Sequence, residues 1–250
     1  AASIWRGLAK AALAARVSGG GLDREWFDLS RPIDHDATVE IVTPNTPDGR
    51  EVLRHSTAHV MAQAVTDLFP GAKYAIGPAI ADGFYYDFEL DAPITEDDFP
   101  AIEAEINRIA KSKAPFERSV MSIPDAKAFF EERAQPYKVD QVEELGRQGE
   151  ADVSLYRERD FIDLCRGPHV PGTGKLKAFK LTKVAGAYWR GNSNNPMLTR
   201  IYGTAFAKQE DLDAYMKQIE EAEKRDHRKL GRELDLFHFQ EEGPGVVFWH

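Results

Sequence analysis

The chain has a single cysteine, Cys165, in 250 residues, so no internal disulfide framework holds it together. That fits a reducing cytoplasm, the compartment we expect for it. No apolar run approaches the ~18 residues needed to cross a membrane, which argues against membrane integration. A net charge of -9 argues against a protein that coats nucleic acid over its whole surface. Internal repeats and low-complexity tracts are also lacking. The opening AASIWRGLAKAALAARV is short, basic and rich in alanine, but it has no continuous apolar stretch before a small-residue cleavage site. It reads as an amphipathic helix over residues 4–16 and not as a targeting peptide.

What is present suits a globular protein, 42% hydrophobic and 29% charged, long enough for two unequal domains with an appended tail. Three glycines, Gly19 to Gly21, stop the first helical pattern. A strand is expected over residues 26–29 and another over the β-branched run 37–42. PNTPDG at 44–49 reads as a linker. Helical signals resume near Arg50 and stop at Phe69-Pro70-Gly71, and further helices are predicted over about 96–113 and 123–133. Strands are predicted over 74–76, 83–88, 161–166, 178–184 and 197–205. From Gln209 to about Leu236 the pattern is that of one long charged helix. The closing GPGVVFWH has strand character with nothing after it to pair with, so the chain reads as cut at both ends.

RHSTAHV places His55 and His59 four residues apart on a helix, side by side and able to share a ligand. On a helical wheel Leu53, Val60, Met61, Ala64 and Leu68 form the apolar stripe, and both histidines lie nearly opposite with Ser56, Gln63 and Thr66. The plain alternative is two solvated surface histidines. Ser56 stands where a metalloprotease would carry its water-activating glutamate, so that chemistry is a poor fit.

DFIDLCRGPHV is the second cluster. Strand alternation turns Phe161, Asp163 and Cys165 to one face, and the Gly167-Pro168 turn can bring His169 back toward Cys165. A lone cysteine is commonly a small buried hydrophobe, yet Asp163 beside it is costly to bury without a partner. Three imidazoles and one thiol could make a tetrahedral zinc site, or could line a metal-free hydrolytic pocket.

Between Arg166 and Arg200 there is no acidic residue, while Arg166, Lys175, Lys177, Lys180, Lys183, Arg190 and Arg200 are interleaved with Phe179, Tyr188 and Trp189. Such a run suits a phosphodiester and unstacked bases, especially a single-stranded RNA end; a solvated basic face is the plain alternative. PGTGKLK is no phosphate-binding loop, because the required first glycine falls on His169.

RHSTAHVMAQAV, YAIGPAIADGFYYDFEL, FIDLCRGPHVPGTG, GAYWRGNSNNPMLTRIYGTAFA and KRDHRKLGRELDLFHFQEEGPGVVFWH together resemble the N-terminal region of threonyl-tRNA synthetase, in the family's order. The resemblance implies an α+β protein: a partial β-grasp (TGS) domain over 1–45, a larger editing domain with an antiparallel sheet over 46–207, and a linker helix with the start of the aminoacylation domain over 208–250. SGGGLDRE departs from the compact hairpin expected in the first domain. The implied activity is proofreading, the hydrolysis of serine wrongly esterified to threonine tRNA; the runners-up are an RNA-binding module without catalysis and a zinc-dependent ester hydrolase like the alanyl-type editing domains.

Carried over from the family, His55 and Lys138 activate or position water, Asp163 holds the substrate ammonium, and Cys165 and His169 shape the pocket. His59 and Tyr156 complete the substrate site, and Gly83, Tyr85 and Tyr86 wall it. The acceptor end of the tRNA would lie along Arg166, Lys175, Lys177, Lys180, Lys183 and Arg190. The resemblance implies no metal in this region, with zinc, ATP and magnesium confined to the missing aminoacylation domain, and a homodimeric full-length protein.

Overall fold

The computed structural model describes residues 6–238 and 246–249. By their contacts these fall into one unit up to Lys208 and a second from Gln209. The fold is α+β, with mixed helix and antiparallel sheet.

The first unit opens with α1 (Arg6–Ala11) and the strands β1 (Ala14–Gly19), β2 (Leu22–Asp28) and β3 (Thr38–Val42), paired in the order β2-β1-β3. The helix expected over 4–16 therefore stops at Ala11, and its first two positions lie outside the described residues. Ala14, Ala15 and Val17 are strand residues, buried as the middle of a sheet requires. The glycines that break the pattern form a compact turn: Gly19 pairs with Leu22, and Gly20 and Gly21 between them have φ of 59° and 91°. The departure from a regular hairpin is a register shift between Val17 and Gly19, just before this turn.

The supposed linker is half helix. In α2 (Pro47–Leu68) Thr46 is the N-cap, its hydroxyl accepting from the Gly49 N–H, with Pro47 in the first turn and Asp48 facing the helix dipole. Gly49 is needed because a Cβ there would lie 1.9 Å from the Thr43 carbonyl oxygen. α2 lies on a five-stranded sheet formed by β4 (Lys73–Tyr74), β5 (Ala79–Ile80), β6 (Gly83–Glu89), β10 (Ala178–Tyr188) and β11 (Met197–Phe206). Phe84, Tyr86, Phe88 and Ile201 from the sheet meet Val52, Val60, Met61 and Ala64 of α2 in the main core. α3 (Phe99–Ser112) adds Phe99, Ile102, Ile106 and Ile109, an apolar stripe at helical spacing.

A second sheet joins β7 (Glu117–Ser122), β8 (Asp152–Glu158) and β9 (Phe161–Leu164), antiparallel throughout. It packs with α4 (Ile123–Glu132) and α5 (Pro136–Arg147) around Ala126, Phe130, Val142 and Leu155. β7, β8 and α5 have no counterpart in the sequence reading: β7 reads ERSVMS, with four exposed residues in succession, so neither alternation nor an apolar run marks it. Glu158 ends β8 only 2% exposed, with neither carboxylate oxygen hydrogen-bonded among the described residues, and burial pushes its pKa up to about 7.

In the second unit the long helix expected from 209 to 236 is two, α6 (Gln209–Lys224) and α7 (His227–Glu233), separated at Arg225-Asp226. The terminal strand does have a partner: β13 (Phe248–Trp249) pairs with β12 (Phe237–His238). Among the described residues no helix is long and apolar enough to cross a membrane.

Candidate active site

From Val52 to Val65, α2 is buried at every residue except His55. The wheel separated an apolar from a polar side, but the polar side is not solvent: Ser56, His59 and Gln63 are all buried, and it is Leu68 that is exposed. Ala58, Ala62 and Ala64 are all fully buried, on more than one side of the helix. The polar side faces β9 and the turn that follows it.

Alternation along β9 holds. Ile162 and Leu164 pack into the satellite core, while Asp163 and Cys165 face α2. The Asp163 carboxylate, 1% exposed, carries the buried charge. Lys138 Nζ from α5 lies 2.6 Å from its Oδ1, the Tyr86 hydroxyl donates to Oδ2 at 2.5 Å, and His59 Nε2 stands 3.6 Å from Oδ2. Lys138 also donates to the Tyr86 oxygen at 3.2 Å. Burial alone would raise the Asp163 pKa, but the Lys138 ammonium, helped by His59 and Tyr86, holds it below its ordinary value. Both oxygens are thus engaged, and Asp163 has the geometry of an anchor for Lys138 and Tyr86.

Above this pair sit three imidazoles and the thiol. Cys165 Sγ is 3.2 Å from His55 Nε2 and 3.4 Å from His169 Nε2, and it accepts from the Gly167 N–H at 3.1 Å. Desolvation pushes the thiol up to about 12, so Cys165 is a neutral hydrogen-bonding group and a poor nucleophile at pH 7. Desolvation likewise lowers His55 to about 4 and His59 to about 3, partly opposed by Asp163, and holds His169 well below its ordinary value. All three rings are therefore neutral at pH 7. His55 presents its Nε2 to the Cys165 thiol, and between Val52 and Val65 it is the one partly open residue of α2.

Residues that no local signal marks hold this arrangement. Ser56 Oγ lies 3.1 Å from His169 Nδ1 and accepts from the Val170 N–H at 3.0 Å. Phe116 stacks on the His169 ring, and Tyr156 meets its edge with centroids 4.5 Å apart. Ser154 donates to the Cys165 carbonyl at 2.6 Å. From the N-terminal sheet, Asp28 reaches the Tyr156 hydroxyl and the His169 N–H.

Two expected pocket walls lie elsewhere. Tyr85 alternates with Tyr86 along β6 and so faces away from α2, under the Arg200 guanidinium and beside Tyr202. Gly83 packs on β11, where a Cβ would lie 2.2 Å from the Gly203 carbonyl oxygen. Nor is the basic run a free positive face. Lys180 pairs with Glu103, Arg190 with Asp140, Arg200 with Asp87 and Arg166 with Glu150. Lys175 donates to the Lys10 carbonyl, and Lys183 lies over the Tyr202 ring. Among the described residues Lys177 makes no ion pair. Sequence order hid these partners, because every carboxylate comes from outside the run. A recess of about 420 Å³ reaches Cys165 from outside and is lined by Arg118, Gln141, Ser154 and Arg166.

Residues 153–202 match the model of the threonyl and alanyl tRNA synthetase second additional domain, and residues 1–43 match the TGS domain. Over all 250 residues the chain is 56% identical to a threonine-tRNA ligase of Marinobacter nauticus, 57% to one of Laribacter hongkongensis and 55% to one of Azoarcus sp.. In each case the whole chain is covered but only 38% of the relative. The chain therefore carries a TGS domain and the second additional domain of threonyl and alanyl tRNA synthetases, and along its whole length it is similar to the N-terminal region of threonine-tRNA ligases.

Proposed function

We propose that this chain hydrolyses the ester joining serine to the terminal ribose of threonine tRNA and spares the threonyl ester. The observation that carries the reading is His55, a neutral imidazole beside the Cys165 thiol and the one partly open residue between Val52 and Val65 of α2, in a chain similar to threonine-tRNA ligases. In this reading His55 orients a water whose oxygen attacks the ester carbonyl. The bond to the ribose oxygen breaks, and the water's proton ends on that oxygen. A conjugate acid near 4 makes His55 a positioning acceptor more than a strong base, so most of the rate comes from orientation and from donors around the developing oxyanion. The Cys165 thiol and the Lys138 ammonium are the donors at hand, with Asp163 and Tyr86 fixing Lys138. Threonine exceeds serine by one methyl, worth only ~1–3 kcal/mol in a binding site, so a second sieve that excludes the methyl is the physical remedy. The acceptor end would enter past Arg118 and Arg166 with Lys177 on the backbone, in the cytoplasm where tRNA is charged.

The test is deacylation of seryl-tRNA and threonyl-tRNA by the purified chain. Loss of serine with threonine retained is expected; equal hydrolysis of both, or of neither, sinks the proposal. Salt-sensitive tRNA binding without hydrolysis would favour a binding module.

One observation favours a second reading. The donor atoms of His55, His59, Cys165 and His169 lie within 4.8 Å of one another, and three imidazoles with one thiol suit a tetrahedral zinc ion. Those four residues would hold it, and zinc would supply a water of lowered pKa. Stoichiometric zinc in protein purified without chelator, with activity lost on chelation, would establish that reading over the metal-free one.

A further inference from the structure

One residue that reaches the site belongs to neither of its sheets. Asp28 is the last residue of β2, in the segment that matches the TGS domain. Its Oδ1 accepts the His169 N–H at 3.0 Å, and its Oδ2 accepts the Tyr156 hydroxyl at 2.5 Å. These partners are 141 and 128 residues distant in sequence and are themselves in contact, the Tyr156 ring meeting the edge of His169. Tyr156 also sets the path of the turn. Its hydroxyl oxygen would lie 2.0 Å from a Cβ on Gly167, so the turn at Gly167, with φ of 70°, runs directly over the tyrosine's tip. Elsewhere the segment is tied by Ser154 at Cys165 and by Ser56 at Val170. Asp28 is the tie between them, at the point where the His169 ring is aimed at Cys165.

The geometry points to Asp28 as a positioning residue, supplied by the N-terminal domain, that fixes the Cys165–His169 turn and its Tyr156 support for the chemistry at His55. The proposal deepens the deacylase reading and rests on it for its kinetic consequence, but not for its structural one. A charge-assisted hydrogen bond to a backbone N–H and another to a phenol make the N-terminal domain part of the site's rigidity. An N-terminal domain that only carried RNA would have no need of this carboxylate.

Cys165 is the sole cysteine, so its alkylation reports on the turn without any substrate. Iodoacetamide rates are measured on the whole chain, each variant held at the same interval below its own melting temperature. Asp28→Ala is expected to raise the alkylation rate about tenfold or more, the scale of one hydrogen bond to a charged group. Asp28→Asn keeps an oxygen for the His169 N–H and is expected to give a smaller rise; it also serves as the reporting variant if Asp28→Ala does not fold. In seryl-tRNA deacylation the same variants should lower kcat in that order while KM stays within about threefold, the mark of lost orientation and not of lost binding. Alkylation rates unchanged in both variants overturn the proposal, even if the wild-type chain deacylates seryl-tRNA. Faster alkylation with no hydrolysis by any chain, wild type included, upholds the tie and overturns the deacylase reading alone.

Discussion

Lys138 offers the sharpest stability experiment. Its ammonium and the Asp163 carboxylate are each 1% exposed and lie 2.6 Å apart. Lys138→Met removes the cation and leaves a buried anion whose remaining partners are the Tyr86 hydroxyl and a neutral His59. Breaking a buried pair from one side costs ~3–5 kcal/mol, a large part of the ~5–15 kcal/mol that a domain has in total. The Asp163 pKa must rise in the variant, so the loss should be greater at pH 8 than at pH 5. Replacing both members by apolar residues, Lys138→Met with Asp163→Leu, removes the orphaned charge and should recover most of the stability. Urea titrations followed by circular dichroism, compared at constant slope, measure all three chains. A single-variant cost under ~1 kcal/mol, or a double variant no more stable than the single, would refute the account of Asp163 as an anion held by Lys138. Activity should be absent in both variants, since the recovered core has no donor.

Other outcomes follow from the same geometry. His55 and His59 titrate near 4 and 3 in the folded chain against 6.5 ordinarily, so the unfolded chain takes up their protons first. In chelator-treated protein their contribution is complete above pH 6.5 and is lost as pH falls toward 3, on the order of 3 kcal/mol for His55 alone; a urea midpoint that is flat from pH 7 to 4 would contradict this. Glu158 works in the opposite direction, its pKa of about 7 making the folded chain the better proton binder, so its stability contribution is present below 4.5 and lost through pH 7. Glu158→Gln should therefore stabilise at pH 8 by ~1–3 kcal/mol, and little at pH 4.5, in the same titration. Ser56→Ala leaves His169 Nδ1 and the Val170 N–H without their partner, and should cost ~1–3 kcal/mol with reduced deacylation, whereas an unaltered melting temperature would show Ser56 to be dispensable.

The helices α2, α3 and α4, the two long strands β10 and β11, and the grouping of His55, His59, Asp163, Cys165 and His169 were legible in the chain. Helical spacing joined His55 to His59, and strand alternation joined Asp163 to Cys165. Physics of that local kind reaches only a few residues. Lys138 lies in a helix whose surroundings gave no signal, and Asp28 lies in a different domain, so no periodicity connects either to the pocket. The basic run misled for a related reason: charge counted along a segment omits carboxylates contributed by other segments. Tyr85 failed on one residue of register, since its neighbour Tyr86 is on the site face and a strand allows only one of the two.

The burial of α2 on all sides carries a consequence for how the gene can vary. A surface helix tolerates substitution once per turn, and a map of allowed residues along it rises and falls with a 3.6-residue beat. Between Val52 and Val65 there is no outer face to supply the beat: one side is fixed by sheet packing, the other by the imidazole cluster. A saturation scan of those positions should show near-uniform intolerance, with core volume limiting Val60 or Ala64 and polar partners limiting Ser56 or His59. Drift in this segment is confined to changes that preserve two unrelated sets of contacts at once.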